Sequence, residues 1–384
     1  MSNTLVTIDM VTREALRIAH EKCQFISTTD RQYDSSFAKT GAKIGASLRV
    51  RKPNQYLRTQ GTRVMDVQEQ DEQTSTVTVA TQDHVDMRFN SAELALSLDE
   101  LSKRYIEPAV SSLVSAIEGD YLAYATKKTY NVVGTAGTAI TDLTAPGLAR
   151  ARLNQMLAPK DRNRAIQMDS VTMAGLVKGV AAYFNPSGAI SEQYREGLVA
   201  RTSMADYYEN ERVWTLTNSA DVTVTTAAAA AVTDGGTNIT LASVAAGDTT
   251  AGMTFTVAGV YACHPETKQS LGYLQPYVVI TGGATTQEVS PATILTGPRQ
   301  NVCSAASAQL ATTAYNGTAV AVTFFGAMNT SYAQSLMYHK EAFQFVTADL
   351  PLMDDAHKCV RRSQDGLSLR VWQASDIRND ELLM

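Results

Sequence analysis

The chain has 384 residues, with 33 Lys and Arg against 38 Asp and Glu and a net charge of -5. That length can bury at least one substantial core and suits about two to three domains. The mildly acidic balance argues against a protein whose main task is gripping DNA phosphates, which calls for clustered cations.

From Thr12 to Lys22 the order Val11, Ala15, Leu16, Ile18, Ala19 predicts a short amphipathic helix, with Thr12 or Asp9 as its cap. Residues 25–45 are polar and contain Gly, which predicts an arm docked on something else rather than a packed connection. Ser47 to Arg51 alternates as a strand stopped by Pro53, and Thr74 to Ala80 alternates again. The polar stretch between them, residues 55–73, is far longer than a tight hairpin loop, so a projecting hairpin is expected. An isolated ribbon is marginal in water, so this one should rest on a neighbour. His84 to Phe89 reads as a third strand.

Ser97 and Glu100 are spaced as a capping box, and from Leu101 the residues Tyr105, Ile106, Val110, Leu113, Val114, Ile117, Tyr121 and Tyr124 recur at helical spacing. Pro108 should kink this helix near its first third. Leu148 to Leu157 reads as a helix, Arg164 to Met168 as a strand and Ser170 to Tyr183 as a helix. Residues 183–208 open with a loop. Tyr338 to Leu352 and Ser368 to Trp372 read as further strands. The chain is therefore expected to be α+β.

Between Asn218 and Val322 the composition changes. Thr, Ala, Val and Gly dominate, and Lys268 and Arg299 are the only Lys or Arg residues. β-branched residues suit a pleated surface and Gly and Asp suit turns, so this block reads as an all-β domain inserted into its host. Ala227 to Ala231 is too short for a helix of its own and reads as a turn or linker.

Candidates for chemistry are sparse. Cys263 adjoins His264, and His357 lies two residues before Cys359, but neither pair has a second half at ligand spacing. With Cys23 and Cys303 the four cysteines are scattered, so neither a zinc knuckle nor a disulfide framework is predicted, and a reducing cytoplasm fits. No glycine loop carries the Lys that cradling phosphate requires. No catalytic residue, cofactor or metal site is expected. Arg49, Arg51 and Lys52, and the pair Arg361 and Arg362, suit a solvated or inter-subunit face better than a phosphate site. Neither a secretory signal nor a membrane-spanning run is visible, so no membrane partner is expected and the chain is predicted to be soluble and made in the cytoplasm.

Several runs carry a resemblance. Arg31-Gln-Tyr-Asp-Ser-Ser-Phe-Ala-Lys-Thr-Gly-Ala-Lys-Ile-Gly, Ser91-Ala-Glu-Leu-Ala-Leu-Ser-Leu-Asp, Gln193-Tyr-Arg-Glu-Gly, Ala258-Gly-Val-Tyr-Ala-Cys-His-Pro-Glu-Thr-Lys-Gln-Ser and His339-Lys-Glu-Ala-Phe occur in this order. In them, and in its order of elements, the chain resembles the major capsid proteins of tailed phages, whose HK-97-like fold is named for phage Hong Kong 97. The likeness is to the coat proteins of short-tailed phages that carry an inserted domain. It implies an N-terminal arm over residues 1–44, an extended loop and its base strands over 45–90, and a peripheral domain with its spine helix over 91–147. An axial domain would begin over 148–217, the inserted β domain would occupy 218–322, and the return to the axial and peripheral domains 323–384. Family members usually continue past Asp376-Ile-Arg into a further strand and tail, so a last strand is expected to be missing here.

The resemblance implies a virion subunit that assembles with its own copies into hexamers and pentamers of an icosahedral shell around double-stranded DNA. Its expected partners are a scaffolding protein, a portal protein, a decoration protein and the packaged DNA by weak contact. Arg49, Arg51, Lys52, Arg58, Arg63, Asp66, Glu69, Arg361 and Arg362 are the candidates for inter-subunit contact. A bacterial nanocompartment shell of the same fold is the rival, and the inserted block weighs against it. A Cys/His hydrolase with an appended β domain and a receptor-binding or decoration protein come from other classes.

Overall fold

The structure, a computed structural model, describes residues 8–31, 47–58, 60–61, 67, 72–79, 81–90, 102–180, 205–218, 225–227, 233–241, 249–283, 286–307, 310, 320–327, 329–347, 352, 358–364, 367–376 and 381–383. The arm after Arg31, the capping box at Ser97 and Glu100, and most of the loop expected over 183–208 lie outside them, as does the Gln193 run. The fold is mixed α+β. Strands dominate, with four α-helices among the described residues. The chain divides into two compact units: residues 1–52, 73–121 and 340–384 form the first, and residues 53–72 and 122–339 the second.

In the first unit α1, Ile8–Lys22, starts earlier than its apolar pattern predicts, and buries Val11, Ala15, Ile18 and Ala19. Thr12 is not its cap: its hydroxyl donates back to the Ile8 carbonyl at 2.7 Å. A π-helical turn, Ser102–Ile106, leads into α2, Glu107–Lys128. Pro108 therefore stands where the π-helical turn passes into α2, inside one continuous helical run, so the irregularity falls close to the proline expected to disturb the helix. A proline there has no N–H for the helical ladder and its ring crowds the preceding turn, and the π-helical turn accommodates that break. Ile106, Val110, Val114, Glu118, Leu122 and Ala125 are all buried, a stripe at three- and four-residue spacing.

Strands β1, Ser47–Arg51, and β2, Thr74–Thr78, pair antiparallel with Ser47 opposite Thr78 and Arg51 opposite Thr74, the hairpin their spacing predicts. The third strand is shorter than expected. β3 covers only Arg88–Asn90, because its partner is itself three residues long. The remaining strands of this unit are β16 (Lys358–Gln364), β17 (Leu367–Asp376) and β18 (Glu381–Leu383), in the sheet order β16-β17-β18-β3. A strand does follow Asp376-Ile-Arg within this chain. Leu367 and Leu369 of β17 join the core formed by α1 and α2.

The second unit contains a three-stranded, a two-stranded and a seven-stranded sheet. α3, Thr144–Gln155, begins where the Asp142 carboxylate accepts the Thr144 N–H at 2.9 Å. β4, Arg164–Met168, is buried along its whole length between β15, Leu336–His339, and β5, Asp206–Glu209. α4, Ser170–Val180, packs Met173, Leu176 and Val180 with Ile166 and Met168. β15 is followed by a 3-10 turn, Lys340–Ala342, instead of the longer strand predicted over 338–352.

From β5 the chain enters β6, Thr215–Thr217, and it returns on β14, Ser331–Ala333; these two strands pair with each other. Between them lie β7 (Thr225–Ala227), β8 (Gly236–Thr240), β9 (Thr254–Cys263), β10 (Ser270–Thr281), β11 (Thr286–Thr293), β12 (Val302–Cys303) and β13 (Val320–Phe324). They form one seven-stranded sheet, ordered β7-β13-β9-β10-β11-β8, with β12 sharing an edge of β9. Ala227 thus belongs to a strand. Phe255, Val257, Val260, Tyr277, Val279, Val289, Leu295 and Val302 fill a core that also takes in Leu216 of β6. Asn218 closes the neck, donating from Nδ2 to the carbonyls of Phe325 and Ala327, both at 3.1 Å.

Candidate functional site

The basic residues singled out in the sequence fall on two surfaces. On β1 the two-residue period puts Arg49 and Arg51 on one face, opposite Thr76 and Thr74. Both side chains are exposed, as are Lys52 and Arg58. Lys52 continues the ladder, its N–H donating to the Gln73 carbonyl at 2.8 Å. Tyr56 and Val67 are also exposed, at 56% and 81%, although both are large and apolar. Arg63, Asp66 and Glu69 lie outside the described residues.

Arg361 and Arg362 sit side by side on β16 and point to opposite faces. Arg361 is opposite Arg370. Arg362 reaches α1, where Nε and Nη2 both meet Asp9 Oδ1, at 2.8 and 2.7 Å. With both side chains more than a third exposed, this pair contributes at most about 1 kcal/mol. Arg362 is thus engaged within its own chain.

The Cys263-His264 pair lacks the geometry of a nucleophile and base. His264 Nδ1 accepts the N–H groups of Glu266 and Thr267, each at 3.2 Å, and so caps the turn between β9 and β10. Burial pushes the Cys263 thiol up to about 12; Cys303 adds to the shift, and Lys268 opposes it. The Lys268 ammonium is itself lowered by burial and donates to the carbonyls of Pro298, at 2.6 Å, and Gln300, at 3.3 Å. Cys359 is half-buried on β16, and His357 lies outside the described residues. Among the described residues no three His, Cys, Asp or Glu side chains converge as a metal site. No described helix is long and apolar enough to cross a membrane.

A cavity of about 230 Å³ lies in the second unit, where Gln55, Tyr130, Cys263, Gln275, Arg299 and Asn301 are among its lining residues. Elsewhere in this unit the Arg152 guanidinium lies over the Tyr273 ring, 3.0 Å from the centroid. Burial raises the phenols of both Tyr273 and Tyr130, and Arg152 partly opposes this at Tyr273.

Sequence reasoning missed Glu118. It is wholly buried, and its Oε1 accepts the backbone N–H groups of Gln24, at 3.1 Å, and Phe25. The available signal was an acid within the apolar stripe of a long helix, since buried carboxylates require partners.

No protein-family profile matches the chain. No curated protein matches it either. Among solved structures it is similar to a chain from Mycobacterium phage Che8, at 11% identity and a TM-score of 0.38, over 49% of this chain and 69% of that one.

Proposed function

We propose that this chain is the major capsid protein of a tailed bacteriophage, built on the HK-97-like fold with an inserted β domain. In this reading its copies form hexamers and pentamers that close an icosahedral shell around double-stranded DNA. The observation that carries it is the neck: β6 and β14 pair, and the chain strings one seven-stranded sheet between them. That arrangement supports an inserted domain, in a chain whose sequence runs resemble coat proteins that carry one. The long α2 helix, the N-terminal helix laid on a four-stranded sheet and the exposed arginine-bearing ribbon support the same reading.

The mechanism is mechanical rather than catalytic. The arm and ribbon reach neighbouring copies, and many modest interfaces act together, so the shell is more stable than any one contact. Arg49, Arg51, Lys52 and Arg58 are the exposed candidates for those contacts. A scaffolding protein, a portal protein, a decoration protein and weakly held DNA are the proposed partners.

The test is expression of the chain with and without a scaffolding protein, followed by sedimentation and negative-stain microscopy. Closed shells of megadalton mass are expected. Shells loaded with protein cargo would favour the nanocompartment reading, and small oligomers under both conditions would overturn the shell reading altogether.

A further inference from the structure

We propose that Cys263 and Cys303 form a latent disulfide, closed by exchange with a low-molecular-weight disulfide that enters the cavity beside Cys263. The inference rests on the thiols themselves and is independent of the shell reading. On the β9–β12 ladder Cys303 lies opposite Tyr261, and the Cys263 N–H donates to the Asn301 carbonyl at 2.9 Å. Cys263 and Cys303 are therefore diagonal neighbours on one face of the sheet. They are 2% and 0% exposed and both are free; the Cys263 thiol faces the His264 carbonyl at 3.9 Å and the Cys303 thiol the Ala262 carbonyl at 4.0 Å. Diagonal neighbours start about 7 to 8 Å apart, so a disulfide requires β12 to move toward β9, and β12 is only two residues long.

Access and activation come from the surroundings. Cys263 lines the cavity, and the part-buried Lys268 ammonium favours its thiolate against the effect of burial. As thiolate, Cys263 attacks one sulfur of the small disulfide and expels one small thiolate, leaving a mixed disulfide. Cys303, as thiolate, then attacks the Cys263 sulfur and expels the second. Two electrons pass to the small disulfide, and the protons lost by the two cysteines end on the two released thiols. Because the Cys263 thiol is raised to about 12, the rate should climb about tenfold per pH unit between pH 7 and 10.

The experiment treats the folded protein with 2-hydroxyethyl disulfide, raising its concentration until Cys359 carries an adduct, then alkylates free thiols and maps peptides by mass spectrometry without reductant. A linked peptide joining Cys263 to Cys303 is expected, with the tenfold pH dependence and a higher melting temperature that dithiothreitol reverses. In Cys303→Ser the reaction should stop at a single hydroxyethylthio adduct on Cys263. Wild-type protein modified at Cys359 but yielding no 263–303 linked peptide would overturn the proposal.

Discussion

The Glu118 carboxylate accepts the backbone N–H of Phe25 from 93 residues away in sequence, and the same oxygen also takes the N–H of Gln24. One buried oxygen thus satisfies two amides at the end of α1 and fastens the N-terminal segment to α2. The Phe25 ring packs beside it, 4.8 Å from that of Tyr121. Removing the acceptor strands both amides. Glu118→Ala is expected to cost about 3 kcal/mol, and Glu118→Gln, which keeps an acceptor oxygen, about 1 kcal/mol. Urea denaturation measures both, and equal losses for the two variants would show that the hydrogen bonds are not the cause.

Gly252 tests the contact between the inserted sheet and its host segment. Its φ is +97°, and an added Cβ would overlap the Trp214 ring and lie 3.0 Å from Lys127 Cγ. The Lys127 ammonium stands over that same ring, 5.2 Å from its centroid. Gly252→Ala therefore meets both a left-handed backbone and an occupied space, and is expected to destabilise by about 2 to 4 kcal/mol. A melting temperature unchanged by the substitution would refute the account.

The Asp161 carboxyl gives a pH signature. Desolvation raises it, but hydrogen bonds from the Asn163 N–H, His339 and the Asn163 side chain outweigh that and hold it below its ordinary value of 3.8. A depressed carboxylate contributes stability that is fully present above the unfolded value and is lost as pH falls through the folded one. The stability difference between wild type and Asp161→Asn should shrink as pH falls below about 5, through the carboxyl's ordinary value toward its lower folded one. Equilibrium denaturation across that range reads it, and a difference that grows on acidification contradicts the assignment.

The neck sets the boundaries of the inserted block. Leu216 is 2% exposed within its core, and the Gln334 N–H donates to the Trp214 carbonyl at 3.0 Å. A fragment spanning 213–335 should fold cooperatively with a β-type circular dichroism spectrum. A fragment cut to 218–322 loses Leu216 and the β6–β14 pair and should be less stable by about 2 kcal/mol or more. Equal melting temperatures would show that the neck contributes nothing.

Replacing residues 54–71 by Asn-Gly keeps β1 and β2 paired through a two-residue turn. The shortened chain is expected to melt cooperatively, but shell closure should fail. Normal shells from it would remove the reason for assigning the ribbon to contacts between copies.

The sequence by itself determined the α+β class and much of the local structure. Ser47–Arg51 and Arg164–Met168 are strands as their residues predict, and the recurrence of Val110 and Val114 marks the buried side of α2. Such signals are local, because a two- or 3.6-residue period is written within a few turns of chain. The sequence was less reliable at element ends. β3 shrank to the length of its partner, and the helix around Pro108 opens with a π-helical turn that its apolar spacing does not announce. Only the tertiary structure decided the partners of these polar groups. Glu118 reads as one more surface acid until Gln24 and Phe25 are brought to it, and Arg362 reads as a free cation until Asp9 arrives from the other end of the chain. Cys263 and Cys303 look scattered until β12 is laid along β9. Burying the Glu118 carboxylate costs desolvation that only specific distant partners offset, and periodicity carries no record of where those partners lie.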